Sequence, residues 1–467
     1  MEADRVADYV NQTTIHPVGA VALVAFSSFL LLAPRRLAPL AFILMACLIP
    51  SSQRIAVIGL DFNFVRILVI VGMVRVLMNS EYRGLKMVPA DWAMAGWAVV
   101  AMLFYTIQQG SFGALVTVTG KTYEAIGVYF VCRCLIRSLA SVRTLAKAVA
   151  VTAIPVCGIF VIESLTARNM FSVFGGVPAV TLERFGRLRC QGAFGHAILA
   201  GCFWASLIPI MAALYWDRGI NKMLAVVGCF CAAVIVFTTA SSTPVLAMLV
   251  VFIGAGLVFF RNYLGYIQLG TVLMIIALHL VMKAPVWHLI ARVSAVGGST
   301  GWHRYHLIDE AINRFSSWML FGTRSTAHWG WGLQDVTNQY ILEGVRGGFL
   351  RMALFILVIV LCFRAVGRAW RKCKPWTLPF ALCWGVGVAL AVHCVSFIGV
   401  SYFGQITMLW SMTLALAANL DNMHLPAQGV ARRRDPRVRN GRPVAAGQAG
   451  QAGQAGSPRP EARAGEP

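Results

Sequence analysis

The chain has 467 residues, 58% of them hydrophobic and only 12% charged. Soluble domains carry about 25% charged residues, so this composition excludes an ordinary soluble protein and places the chain in the membrane class. Lys and Arg number 40 against 18 Asp and Glu, a net charge of +22; most of the cations stand at the ends of apolar runs, where they set topology and meet headgroups, so the charge is no argument for nucleic acid.

Acidic residues (Glu2, Asp4, Asp8) precede the first apolar run, which is of spanning length and does not read as a cleavable signal. Spans are predicted near 17–33, 37–51, 62–78, 90–109, 117–137, 144–165, 195–216, 221–239, 244–260, 263–282, 348–366, 377–396 and 401–420. The fold class is therefore all-α: a polytopic membrane helix bundle of about 12–14 spans over residues 1–421. The second run is short, and Arg54 to Leu60 reads as a re-entrant piece. Most of the twelve cysteines lie inside these runs, where a thiol behaves as a small hydrophobe. Neither Cys132-x-Cys134 nor Cys229-x-Cys231 has zinc-ribbon spacing, so no metal and no disulfide framework is expected.

Basic clusters follow alternate spans: Arg35-Arg36; Arg75, Arg83 and Lys86; Arg133, Arg137, Arg143 and Lys147; Arg218 and Lys222; Arg261; Arg364 to Lys374; Arg432 to Arg434. By the positive-inside rule they share one cytoplasmic face. The other face then receives 51–61, 166–194, the turn at Thr238 to Thr243 and one large loop, 283–347. Two stretches of that face break the rule. Segment 166–194 holds Arg168, Arg184, Arg187 and Arg189, and the loop holds Arg292, Arg304, Arg314, Arg324 and Arg346. Cations placed against topological preference point to an anionic ligand, or else to pairing with Glu183, Asp309, Glu310 and Glu343.

The loop also carries four of the nine histidines: His288, His303, His306 and His328. Trp302, Tyr305, Ile308, Ile312 and Phe315 have the spacing of an amphipathic helix, capped by Ser299 or Thr300. That stripe is expected to lie on the bundle, with His303, Arg304, Glu310, Asn313 and Arg314 turned to a cavity. From 422 to 467 the chain becomes basic and then Gly/Ala/Gln-rich, a composition that cannot bury a core and reads as a disordered cytoplasmic tail.

Four constellations carry chemistry. In Arg189-x-x-Gly192-x-Phe194-x-His196, Arg189 offers a phosphate a planar fork, Gly192 allows close backbone approach, and His196 is a ligand contact, a proton carrier or a helix cap. The hydroxyls of Ser241-Ser242-Thr243-Pro244 suit phosphate or sugar oxygens as well as a helix start. His303, His306 and Asp309 share a helix face but lack zinc-protease spacing, and no Gly-x-Ser-x-Gly elbow marks a serine hydrolase. Asp335-x-x-Asn338-x-Tyr340 places a carboxylate, an amide and a phenol before the next span, a set fit to take a proton from a hydroxyl nucleophile or to cap a helix.

This order of motifs, with Asn338-x-Tyr340 and six residues leading to Gly347, resembles the O-antigen ligase and O-antigen polymerase superfamily over roughly residues 15–420. The resemblance implies a multi-pass protein of the bacterial inner membrane that transfers a glycan from undecaprenyl diphosphate on the periplasmic face. It implies no cofactor and no metal. Its partners would be the lipid-linked donor, a saccharide or lipid-linked acceptor, membrane lipids and the polysaccharide export machinery. Arg187, Arg189, Gly192, His196, Ser241, Ser242, Arg304, Asn338 and Tyr340 then become substrate-binding candidates, with Arg189 on the diphosphate. Two positions depart from the family pattern. Thr337 stands where ligases commonly have His, and Ser241-Ser242-Thr243-Pro244 stands where many members have Ser-Arg-Gly. The catalytic base then falls to His303, His306 or Asp335, and the missing ligase-type His favours a polymerase for exopolysaccharide or O-antigen. The alternative from another class is a transporter or flippase for a lipid-linked or anionic substrate.

Overall fold

A computed structural model describes residues 12–57, 60–292 and 301–425. The cap at Ser299 or Thr300 and the tail beyond 425 lie outside the described residues. Each predicted run forms a helix: α1 Pro17–Leu32, α2 Leu40–Leu48, α3 Phe64–Met78, α4 Pro89–Gln109, α5 Phe112–Leu135, α6 Leu139–Thr166, α7 Ala197–Ala212, α8 Asn221–Thr238, α9 Ser242–Leu257 and α10 Leu264–Val281. The loop contributes α11 Gly301–Asn313 and α12 Gln339–Val345, followed by α13 Gly348–Lys372, α14 Leu378–Gly399 and α15 Gln405–Leu420.

Among the described residues seven helices are long and apolar enough to cross a bilayer, namely α4, α6, α7, α8, α10, α13 and α14 with their short extensions. They make the chain a multi-pass membrane protein, with fewer full spans than the 12–14 expected. The difference has physical causes. Helix α2 has nine residues, about 14 Å of rise, against a hydrocarbon core of about 30 Å. Helices α1, α3, α9 and α15 run 15 or 16 residues, and α5 carries Lys121, Glu124 and Arg133. The expected re-entrant piece is an antiparallel strand pair, β1 Arg54–Val57 against β2 Leu60–Asn63, with Arg54 opposite Asn63.

Helix α4 packs on α13, α5 on α15, α6 on α8, and α14 on both α7 and α9. Small residues let the axes approach, as in membrane bundles generally. A Cβ on Gly228 would stand 2.7 Å from the Ala150 Cβ, and one on Gly385 2.6 Å from the Pro209 carbonyl oxygen. Helix α10 differs from the rest, because it buries no residue. All twelve cysteines are free thiols.

At one end, basic residues in and just after the last turns of α3, α5 and α13 make a set of hydrogen bonds and ion pairs. Arg75 donates to the carbonyls of Leu30 (2.6 Å) and Ala33 (2.7 Å) and pairs with Glu81. Arg137 donates to the Arg83 and Glu81 carbonyls, and Arg368 pairs with Asp421. Arg133, 1% exposed in its side chain, grips both oxygens of Asp91 at 2.6–2.8 Å and also bonds Asn419.

The large loop folds on a core of its own, built by Leu307, Ala311, Trp318, Trp329, Leu333, Val336, Ile341 and Val345. Helix α11 is amphipathic as expected but turned about its axis. Its buried residues are Gly301, Arg304, Leu307 and Ala311, whereas Trp302 is 63% and Ile312 47% exposed. Trp302 and Tyr305 pack instead against each other and His288, at 4.7–6.2 Å between ring centroids. The seam is set by a hydrogen-bonded Arg304 rather than by the largest rings.

Candidate functional site

The segment entering α7 is held by Glu163, fully buried near the end of α6. Its carboxylate accepts from the Thr181 hydroxyl and from the backbone N–H groups of Gln191 and Gly192, all at 3.0 Å. Asn169 donates to the Gly192 carbonyl at 2.9 Å, and Gln405 to the Ala193 carbonyl at 2.6 Å. Gly192 has φ +55°, and a Cβ there would meet the Phe160 ring at 2.5 Å. The close approach that the structure shows at this glycine is to a core aromatic ring. His196 is the N-cap of α7, its Nδ1 accepting from the Ile198 N–H at 3.1 Å.

Just before this segment, strands β3 Glu183–Arg184 and β4 Arg187–Leu188 form a hairpin through Phe185 and Gly186, both at positive φ. The register sets Arg184 directly opposite Arg187. Like charges across a strand pair repel unless an anion lies between or beside them. Arg189 follows, half-buried, its N–H donating to the Leu182 carbonyl at 2.9 Å.

The turn into α9 is compact. Ala240 has φ +43°, and Ser241, Ser242 and Thr243 are all buried. Arg304 of the loop helix reaches this turn, donating from Nη2 to the Thr243 hydroxyl at 3.0 Å and from Nε to the Gly399 carbonyl at 3.3 Å. Arg304 is 8% exposed. Burial lowers its pKa from the ordinary arginine value; the polarity of Cys202 opposes that shift and the charge of Arg184 adds to it. Arg304 therefore joins the loop, the turn before α9 and the end of α14.

On the neighbouring face of α11, His303 Nε2 lies 3.4 Å from the Asp335 carbonyl oxygen. His306 lies against Gly330, whose added Cβ would stand 3.1 Å from its Nε2. The three catalytic candidates thus share one wall, formed by α11 and 330–335, with Asp335 exposed on it. Asn338 and Tyr340 have structural partners. Asn338 caps α12, accepting from the Ile341 N–H at 3.2 Å, and donates to the Ile398 carbonyl at 3.4 Å. Tyr340 donates its hydroxyl to the Cys394 carbonyl at 3.0 Å. Between them and Asp335, the Thr337 hydroxyl is buried with no hydrogen-bond partner among the described residues.

The charges sort cleanly. Arg314 pairs with Glu310 at 2.6 Å, and Arg324 donates to the Gln108 carbonyl at 2.7 Å. Glu343 is taken by Arg351 at 2.7 Å, and Asp309 accepts from the Trp287 indole at 3.0 Å. Arg184, Arg187 and Arg304 have no carboxylate partner among the described residues. Among those residues no group of three or more His, Cys, Asp or Glu is placed to hold a metal. Sequence reasoning missed Thr243 and Gly399 as the partners of Arg304 and Glu163 as the clamp of the α7 entry; each pairing joins residues far apart in the chain. The site can hold an anion on guanidinium forks beside a wall of imidazole and carboxylate. No family model and no curated protein matches the sequence.

Proposed function

We propose that the chain is a membrane glycosyltransferase of the O-antigen polymerase or ligase type, transferring a glycan from a polyprenyl diphosphate to an acceptor hydroxyl on the outer, periplasmic face. The observation that carries this reading is Arg304: buried, without a carboxylate partner among the described residues, and fixed where the loop meets α9 and α14. A buried guanidinium left without a counter-charge is costly and is relieved by an anionic ligand. A diphosphate has the matching charge and geometry, and it is already a leaving group that needs no activating cofactor.

In this mechanism Arg304, with Arg184, Arg187 and Arg189, holds the donor diphosphate and stabilises the charge that grows as the glycosidic oxygen departs. The acceptor hydroxyl attacks the anomeric carbon from the opposite face, and its proton passes to a base on the wall of His303, His306 and Asp335. The C–O bond to the diphosphate breaks as the new C–O bond forms, and the anomeric centre inverts. Thr337, at the family's histidine position, has no basic group to offer, so the proton acceptor lies among its neighbours.

The test is glycan chain length in cells that carry Arg304→Gln, Arg189→Gln, His303→Ala or Asp335→Asn in place of the wild-type gene. Loss of long chains is expected for the two arginine variants and for the variant that removes the base. A wild-type length distribution in all four ends the reading.

A further inference from the structure

The turn beside the histidine wall carries a side chain that the mechanism above leaves unused. Trp331 is 99% exposed, and among the described residues it makes no side-chain hydrogen bond and no ring contact. An indole left in water forgoes the burial that Trp329, two residues away, obtains at 3% exposure. The turn that presents it is well anchored. Trp329 and Leu333, on either side, belong to the loop's own core. The buried Thr326 hydroxyl donates to the Leu333 carbonyl at 2.6 Å, and the Leu333 N–H donates to the Gly330 carbonyl at 3.1 Å, closing the backbone around Trp331. Gly332, at φ +78°, makes the reversal. A flat apolar surface is thus held out on a fixed backbone, where binding to it orders little else.

Both chain neighbours of Trp331 lie against the wall. A Cβ on Gly330 would stand 3.1 Å from His306 Nε2, and one on Gly332 3.9 Å from His303 Nδ1. His303 Nε2 in turn lies 3.4 Å from the Asp335 carbonyl oxygen. The other exposed residues from 327 to 335 are Ala327, His328, Gln334 and Asp335, and the Gln334 amide makes no hydrogen bond among the described residues. Trp302 is the contrast. It is 63% exposed, but it packs on Tyr305 at 5.2 Å and His288 at 6.2 Å between ring centroids. It also points about 100° round α11 from His303.

We propose that Trp331 is the platform of the acceptor subsite, stacking on the C–H face of a hexopyranose and holding one of its hydroxyls against the wall of His303, His306 and Asp335; this rests on the glycan-transfer reading above. It adds to that reading the class of acceptor and a residue that selects it. A pyranose ring has what this surface can use: ring hydrogens for the indole face, and hydroxyls around its edge for Gln334 and Asp335. Anchoring at the membrane interface is the other common use of an exposed tryptophan. Here the exposed neighbours include an acid and an amide and no aliphatic side chain larger than alanine, a setting for hydroxyl groups rather than acyl chains.

The test titrates the full chain, purified in a detergent without a sugar headgroup, with cellotetraose and with the open-chain polyol sorbitol, reading tryptophan emission and unfolding temperature. Cellotetraose should bind the wild type and sorbitol should not. Trp331→Ala should weaken cellotetraose binding by about fivefold or more, Trp331→Phe should keep most of it, and Trp302→Ala should match the wild type. The proposal is overturned if the wild type ignores cellotetraose, if sorbitol binds equally well, if Trp331→Ala binds like the wild type, or if Trp331→Phe is as weak as Trp331→Ala. It also falls if brominated phosphatidylcholine quenches the wild type more than Trp331→Phe, because the indole then sits in lipid. Should Trp331→Ala unfold earlier than the wild type, Trp331→Leu, apolar but not aromatic, is read in its place by the same criteria. Glycan chain length in cells separates this subsite from the reading beneath it. Loss of long chains in Arg304→Gln, with wild-type chains and wild-type cellotetraose binding in Trp331→Ala, removes the platform and leaves the reading. Cellotetraose binding that depends on Trp331, with wild-type chains in all four variants named under the proposed function, removes the reading and leaves a sugar site standing on its own data.

Discussion

Arg133 and Arg304 are both buried, both helical, and both tie together elements distant in sequence. Their surroundings differ in one respect. Arg133 meets both oxygens of Asp91, and Asp91 also accepts from the Tyr129 hydroxyl at 2.6 Å and from the Val88 N–H at 2.8 Å. Among the described residues Arg304 meets a hydroxyl and a carbonyl. The first arginine is neutralised by the protein and serves as a joint between α4, α5 and α15. The second has no carboxylate beside it among the described residues, and the proposed anion site rests on that difference. Burial alone does not separate a structural cation from a functional one; the location of the counter-charge does.

The contrast can be broken by substitution. Asp91→Ala strands Arg133 and should destabilise the fold by about 3–5 kcal/mol, read as a lower unfolding temperature in detergent. Leu307→Ala opens a cavity in the loop's own core and should cost about 2–5 kcal/mol. If the loop core unfolds apart from the bundle, limited proteolysis will cut the loop before the helices α4 to α9 are lost. His196→Ala removes the cap of α7 for about 1 kcal/mol, and His196→Asn should recover most of it; no recovery would assign that histidine a role beyond capping. Arg304→Met should have the smallest effect on unfolding, neutral or slightly stabilising, because it removes an uncompensated charge. A loss as large as that of Asp91→Ala would show that the protein itself supplies the missing counter-charge.

Hydropathy made each bundle helix legible, because a run of apolar residues is a local property. Spanning capacity was less so: the runs at 37–51 and 401–420 include turn residues, and their helices are Leu40–Leu48 and Gln405–Leu420. The loop helix was legible from its period and misread in its face. Hydrophobicity ranks Trp302 above Arg304, but Thr243 and Gly399, which satisfy Arg304, lie 61 and 95 residues away. Arg187, Arg189 and the α9 turn were visible as charge and hydroxyl clusters. That Gly192 faces Phe160, and that Glu163 clamps Gln191, depends on packing that no local pattern reports.

Helix α10 has 18 residues and buries none of them, so its only solvent is lipid. At 1.5 Å per residue it is about 27 Å long, close to the thickness of a hydrocarbon core. Among the described residues its side-chain contacts are those of His279 with Val286 and Trp287 near its end, so its tilt is expected to follow the bilayer. The large loop begins where this helix ends, so a change in the helix's tilt would move the first residues of the loop. In vesicles of graded acyl-chain length, the accessibility of residues 283–292 to a soluble label should therefore change with lipid length.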